Sequence, residues 1–198
     1  MFSYKIARDY GFAPNPFHGT CSLATCKPHI RKSAAVGDLV LGCGSRENDR
    51  TGHLIFAMRV TRKATFQEYW DEPQYITKRP NFRSSIAHAY GDNIYHQDIP
   101  GTWIQERSHH SFADGTLNRD NLERDTKTSE MVLISTDFVY FGRNSIPIPA
   151  HLRNFNGDDA YPNVRDYRSR FDDRLIAAVD RWFSELPRGI QGHPINWN

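Results

Sequence analysis

The 198 residues carry 25 Lys+Arg against 23 Asp+Glu, a formal net charge of +2, with 38% hydrophobic residues and a mean hydropathy of −0.66. That length suits one core with an appendage rather than two full cores, and the near-balance of charge argues against a dedicated duplex-DNA clamp. Global disorder is excluded as well, because 4 Trp, 9 Tyr and 12 Phe supply large rings from which a core can be built.

The cations divide into 19 Arg and 6 Lys, which favours phosphate forks and stacking on planar rings. The longest apolar runs, Leu54 to Met58 and Leu175 to Val179, are five residues each, too short to span a bilayer. The start, Met1-Phe2-Ser3-Tyr4-Lys5, has no charged n-region followed by an apolar h-region. Cys21, Cys26 and Cys43 cannot all pair within one chain, so they read as thiols in a reducing cytoplasm. The expected location is cytoplasmic, with no membrane partner.

In chain order, Phe2 to Arg8 alternates as a first strand and breaks at a loop from Asp9 to Gly19, where Pro14, Pro16, Gly11 and Gly19 exclude a helix. Phe12 and Phe17 should fold that loop back onto the body. The stretch from Thr20 to Lys27 is expected to make one or two helical turns ending before Pro28. Leu39 to Gly44 and His53 to Thr61 read as a hairpin with a long connection. Thr65, followed three residues later by Glu68, is a capping-box pattern that starts a short helix ended by Pro73.

From Gln74 to Gly101 the pattern is irregular apart from a strand at Asn93 to His96. Thr102 to Glu106, Met131 to Ser135 and Asp137 to Phe141 alternate as further strands. Pro149 to Asn163 reads as a linker. Beyond it, Phe171, Leu175, Val179, Trp182 and Leu186 form one stripe at helical spacing, stopped by Pro187 and Gly189. Short strands with a terminal helix predict an α+β fold, a compact, mostly antiparallel β-barrel-like domain with short helices. The expected division is a β-rich domain over 1–150, then a linker and amphipathic helix over 151–198. The stripe from 171 to 186 needs a surface to cover, either the sheet or a partner.

No phosphate-binding Gly-x4-Gly-Lys-Ser/Thr loop, His-Glu-x2-His, Gly-x-Ser-x-Gly elbow or zinc-deaminase pair is present. Gly42-Cys43-Gly44 lacks the third glycine and the long helix of a dinucleotide fingerprint. His18, Cys21, Cys26 and His29 are legitimate zinc donors, but their spacing is not that of a known finger, and neither metal nor cofactor is expected. Thiol chemistry is the sharper idea. Cys21 and Cys26 lie near Lys27 at a helix start, which favours a thiolate, and His110 of the His109-His110 pair can serve as acid or base. Asp92, Asn93 and Tyr95, with Trp103, combine rings and hydrogen-bonding groups in the way that holds a planar heterocycle.

At these segments the sequence resembles the nucleotide modification associated domain 2 family. The residues that carry the likeness are Gly11 to Phe17, Cys21 to Pro28, Val36-Gly37-Asp38, Thr65 to Trp70, Gly91 to His96, Ser108 to Ser111 and Tyr140-Phe141-Gly142. They cover about the first three quarters of the chain in the same order. The resemblance implies an association with phage and bacterial systems that make or handle modified nucleobases. Val36 to Leu41 followed by His53 to Thr61 also loosely resembles the Gly-Asp strand pair of PUA-like barrels, including EVE and ASCH domains, which implies a base-binding pocket.

Two readings follow. In the first the chain recognises a modified nucleobase, nucleotide or nucleotide-derived signal in a DNA-modification or defence context. Phe17, Trp70, Tyr95 and Trp103 would stack, and Lys27, Asp92, Asn93, His109 and His110 would make polar contacts. In the second it is an enzyme on a nucleobase or nucleotide, with Cys21 or Cys26 as nucleophile, Lys27 beside it and His110 as acid/base. The near-neutral charge favours a small ligand, a single strand or one flipped base over long DNA tracts.

Overall fold

The computed structural model describes residues 1–164 and 166–197. In chain order it forms β1 (Phe2–Lys5), β2 (Cys21–Leu23), α1 (Pro28–Ser33), β3 (Leu39–Cys43), β4 (His53–Arg59), β5 (Arg62–Thr65), α2 (Phe66–Asp71) and α3 (Ile86–Ala89). The second half adds β6 (Tyr95–Ile99), β7 (Thr102–Gln105), α4 (Arg119–Thr126), β8 (Met131–Ser135) and β9 (Asp137–Tyr140). It ends with β10 (Ile146–Pro147), α5 (Ala150–Arg153), β11 (Tyr167–Arg168), α6 (Asp173–Glu185) and β12 (Gly189–Ile190). No helix among the described residues is long and apolar enough to cross a membrane.

Two units emerge, and each is built from separate stretches of chain. The first takes residues 1–10, 34–60 and 136–198; the second takes 11–33 and 61–135. The first strand, β1, thus shares a unit with everything after Ser135.

In the first unit the strand order is β11-β1-β3-β4-β9-β12, with β10 also on β4. Pairing is antiparallel except for β1 with β3 and β9 with β12. The path ends on two different strands, so the sheet is open where a barrel-like closure was expected. The mixed α and β content and the largely antiparallel pairing agree with the sequence. Every residue of β3 is buried, as suits an inner strand covered on both faces. Gly42 pairs with Phe56, and a Cβ there would lie 2.1 Å from the Phe56 ring, so glycine is what lets that ring lie across β3.

Asp172 caps α6, and Leu175, Val179 and Phe183 are fully buried against Leu41, Leu54, Val139 and Leu152. Phe171, Trp182 and Leu186 pack on the edge of the same cluster. Each fully buried side chain contributes roughly 1.5–3 kcal/mol by burial. The stripe from 171 to 186 therefore packs on the core of its own unit.

The second unit holds the antiparallel sheet β2-β8-β5 and the hairpin β6-β7. Thr65 caps α2 with the reciprocal Glu68 bonds that its sequence predicts. The stretch after Thr20 departs from expectation. It forms β2, and the helix begins at Pro28 instead of ending before it. Proline suits a first helical position because no intrahelical partner is needed for its missing N–H. Helix α4 was not foreseen; its one apolar residue before the last turn is Leu122, so hydrophobic periodicity gives no signal.

Candidate active site

Several segments of the second unit meet around Cys26. The chain leaves β2 at Leu23 and reaches α1 through Cys26 and Lys27, both left-handed, with φ of 56° and 40°. A side chain in that region costs about 1–3 kcal/mol and persists where its surroundings hold it. Two bonds hold Cys26. Its N–H donates to Asp125 Oδ1 at 2.9 Å, and its carbonyl accepts from Arg31 Nε at 2.8 Å.

His110 sits in the loop after β7, and the local serines shape that loop. Ser111 Oγ accepts from Ser108 N and donates to the Glu106 carbonyl, while Ser108 Oγ accepts from His110 N. Asn121 Nδ2 then donates to the His110 carbonyl at 2.8 Å. The imidazole is thereby aimed with Nε2 3.7 Å from Cys26 Sγ and Nδ1 2.8 Å from Asp125 Oδ2. A carboxylate accepts, so Nδ1 carries a proton and Nε2 faces the sulfur. Phe12 meets the His110 ring edge-on at 4.6 Å and also touches His109.

Asp125 closes the set from the last turn of α4. It is fully buried and accepts from Cys26 N, His110 Nδ1, Tyr95 Oη at 2.9 Å and Arg124 Nε at 3.2 Å. Burial works against its charge, yet the His110 and Arg124 contacts outweigh burial and hold its carboxyl below the usual carboxylate value. Burial would likewise pull His110 down, but its bonds to Asp125 and Cys26 hold it up, at about 9. The imidazole thus keeps its second proton at neutral pH. Below these groups Arg31 is fully buried, donating to the carbonyls of Cys26, Asp125, Ser129 and Met131. One guanidinium thereby ties the Cys26 loop to the helix that carries Asp125.

The result is a thiol, an imidazole and a carboxylate in series. That arrangement can abstract a thiol proton, keep the imidazolium beside the sulfur and return the proton to a leaving group. Of the residues singled out from sequence, Cys26, His110 and Tyr95 are brought together, with Lys27 next to Cys26 in the chain. Tyr95 joins as a hydrogen-bond donor to Asp125 and not as a stacking ring. Asp125, Arg124 and Arg31 were not foreseen.

The other expected site residues lie elsewhere. Cys21 is fully buried in β2 and its thiol is pushed up to about 12 by burial, an environment that keeps sulfur protonated and out of reach. Trp70 has its ring faces taken by Arg79, 3.6 Å from the centroid, and by the stacked His96 at 3.9 Å. Asp92 is buried and accepts from Ser22 and Tyr69, and Asn93 is buried with its amide on the Tyr69 carbonyl. Both build the interior around the fully buried Lys78, whose ammonium donates to Asn15 and Thr20. Phe17 is buried and His109 packs between Phe12 and Tyr90. Trp103 lines a separate cavity of about 230 Å³ with Thr65, Gln67, Gln97, Pro100 and Glu130. Among the described residues no group of three or more His, Cys, Asp or Glu side chains is placed to hold a metal ion.

A family model described as nucleotide modification associated domain 2 matches residues 1–198. The match runs through α6, beyond the three quarters over which the likeness is visible by eye. No curated protein and no solved structure matches the chain.

Proposed function

Because the chain belongs to the nucleotide modification associated domain 2 family, we propose that it acts in nucleotide modification as a thiol enzyme, with Cys26 as its nucleophile. One observation carries this reading: Cys26 Sγ, His110 and Asp125 stand in hydrogen-bonding series, at 3.7 and 2.8 Å. In the reacting form Cys26 is ionised with its proton on His110 Nε2, and the sulfur bonds to an electrophilic carbon of a nucleotide or nucleobase substrate. The imidazolium then gives its proton to the departing group, while Asp125 keeps the ring in register. Acyl transfer is the reaction class that such sets serve on unrelated folds. Arg31 and Tyr95 position the acid and the loop and touch no substrate.

Recognition without chemistry has less support. The faces of Trp70 are already covered, and Asp92 and the Asn93 amide nitrogen are spent on interior hydrogen bonds. The test is the reactivity of Cys26 toward iodoacetamide at pH 7, followed by intact mass. Cys26 should alkylate faster than free cysteine, and His110→Ala should slow it by about tenfold, the scale of one lost charge-assisted contact. Alkylation no faster than free cysteine and unchanged in His110→Ala would defeat the proposal.

A further inference from the structure

We infer that the Cys26 site takes electrophiles that carry an oxyanion, and that Arg124 is the group that receives it. This deepens the thiol reading and rests on it. Arg124 precedes Asp125 on α4 and spends only part of its fork within the site. Its Nε donates to Asp125 Oδ1 at 3.2 Å, and its Nη2 lies 3.3 and 3.4 Å from the two ring nitrogens of His110. Nη2 also reaches Asp125 Oδ2 at 3.5 Å, and Nη1 has no hydrogen-bond partner among the described residues. The side chain is 46% exposed, whereas Asp125 beneath it is fully buried. A guanidinium is therefore held beside the nucleophile with donors to spare.

The charges in contact do not balance. Arg124 and His110 meet the carboxylate of Asp125 and Arg31 bonds the Asp125 backbone carbonyl, so three positive charges lie about one carboxylate, and an ionised Cys26 still leaves one positive charge in excess. His110 holds its proton up to about 9, so the excess persists through neutral pH. Guanidinium forks match carboxylate and phosphate oxygens, and the cost of a crowded positive site falls when an anion enters. An oxyanion on Arg124 would set the neighbouring carbon of the same molecule against Cys26. The anion could be the phosphate of a nucleotide or a carboxylate on the group transferred, and the same geometry serves both.

Iodoacetate and iodoacetamide test this on the full chain. Each forms an S–C bond and expels iodide, and they differ only in charge. Cys21 and Cys43 are fully buried, so alkylation of the native protein reports Cys26. Iodoacetate should be preferred over iodoacetamide relative to the same pair acting on free cysteine, and 1 M NaCl should weaken the preference. Arg124→Gln should lower the rate ratio by about tenfold, the size expected from one neighbouring charge at a half-exposed position. Taking the ratio cancels any change in the thiol's own reactivity.

Competition on the unaltered protein removes the dependence on a folded variant. Inorganic phosphate that slows iodoacetamide alkylation assigns a phosphate source, and protection by acetate alone assigns a carboxylate. Protection by neither, or a ratio unchanged in a folded Arg124→Gln, overturns the inference and leaves the thiol reading standing. Slow alkylation of Cys26 by both reagents overturns the two together.

Discussion

The N–H of Cys26 donates to Oδ1 of Asp125 at 2.9 Å, although 99 residues separate them in the chain. The carboxylate that orients His110 through Oδ2 thus also pins the backbone of Cys26. Asp125 serves geometry at both ends of the series, so reactivity and local order at Cys26 should fail together when it is changed.

Asp125→Asn keeps the shape but replaces one acceptor oxygen by a donor and removes the charge. Iodoacetamide alkylation of Cys26 at pH 7 should fall by roughly 10-fold or more, because the imidazolium loses the anion that holds its charge and orientation beside the sulfur. Asp125→Ala should in addition destabilise the protein by about 3–5 kcal/mol, since the buried cations Arg31 and His110 lose their counter-charge. Urea denaturation read beside the alkylation rate separates the two effects. A normal rate in Asp125→Asn would remove the acid from the series.

Stability should depend on pH through His110, with a definite sign. Its folded pKa, about 9, lies above the unfolded value near 6.5. The folded state therefore binds more protons between those values, so its contribution is complete below about pH 6.5 and disappears as pH rises through about 9. The amount is on the order of 3 kcal/mol. Lys78 acts in the opposite sense, because burial lowers it to about 8. The useful measurement is the difference between the native protein and His110→Ala across pH 6 to 10. Parallel curves would contradict the prediction.

Arg31→Lys should cost more than a conservative label suggests. Lysine has a single nitrogen with which to reach the carbonyls of Cys26, Asp125, Ser129 and Met131. Buried carbonyls left without donors cost about 1–3 kcal/mol each, so a loss of roughly 2–4 kcal/mol is expected in thermal or urea unfolding. Cys26 alkylation should slow as well, since the loop loses its tie to α4. Full stability would mean that the four bonds contribute little.

The cysteines should separate cleanly by exposure. Native protein should take one equivalent of alkylating reagent at Cys26, and Cys21 and Cys43, both raised to about 12, should react only on unfolding. Peptide mass mapping before and after denaturant decides this. Labelling of Cys21 in the native state would show that β2 opens.

Local patterns in the sequence were sufficient for several elements. The Thr65 and Glu68 capping box marks α2, alternation marks β8 and β9, and the apolar stripe marks α6, because each signal is carried by residues within two or three turns of one another. Residue type alone also drew attention to Cys26 and His110. What the stripe of α6 covers, and whether the sheet closes, depended on residues as far off in the chain as Leu41 and Leu54 and could not be read from periodicity.

The site itself was decided by tertiary structure. Helix α4 is almost wholly polar, so Asp125 and Arg124 look like a solvated charge run until the fold buries the carboxylate. Cys21 and Cys26 are the same residue type five positions apart. One lies inward on a buried strand and the other stands on a left-handed turn beside an imidazole. Sequence supplied the chemical groups, through their types and short-range spacing. Which thiol could act, and with which acid, was set by long-range packing, because burial and hydrogen-bond partners belong to a position in space and not to a position in the chain.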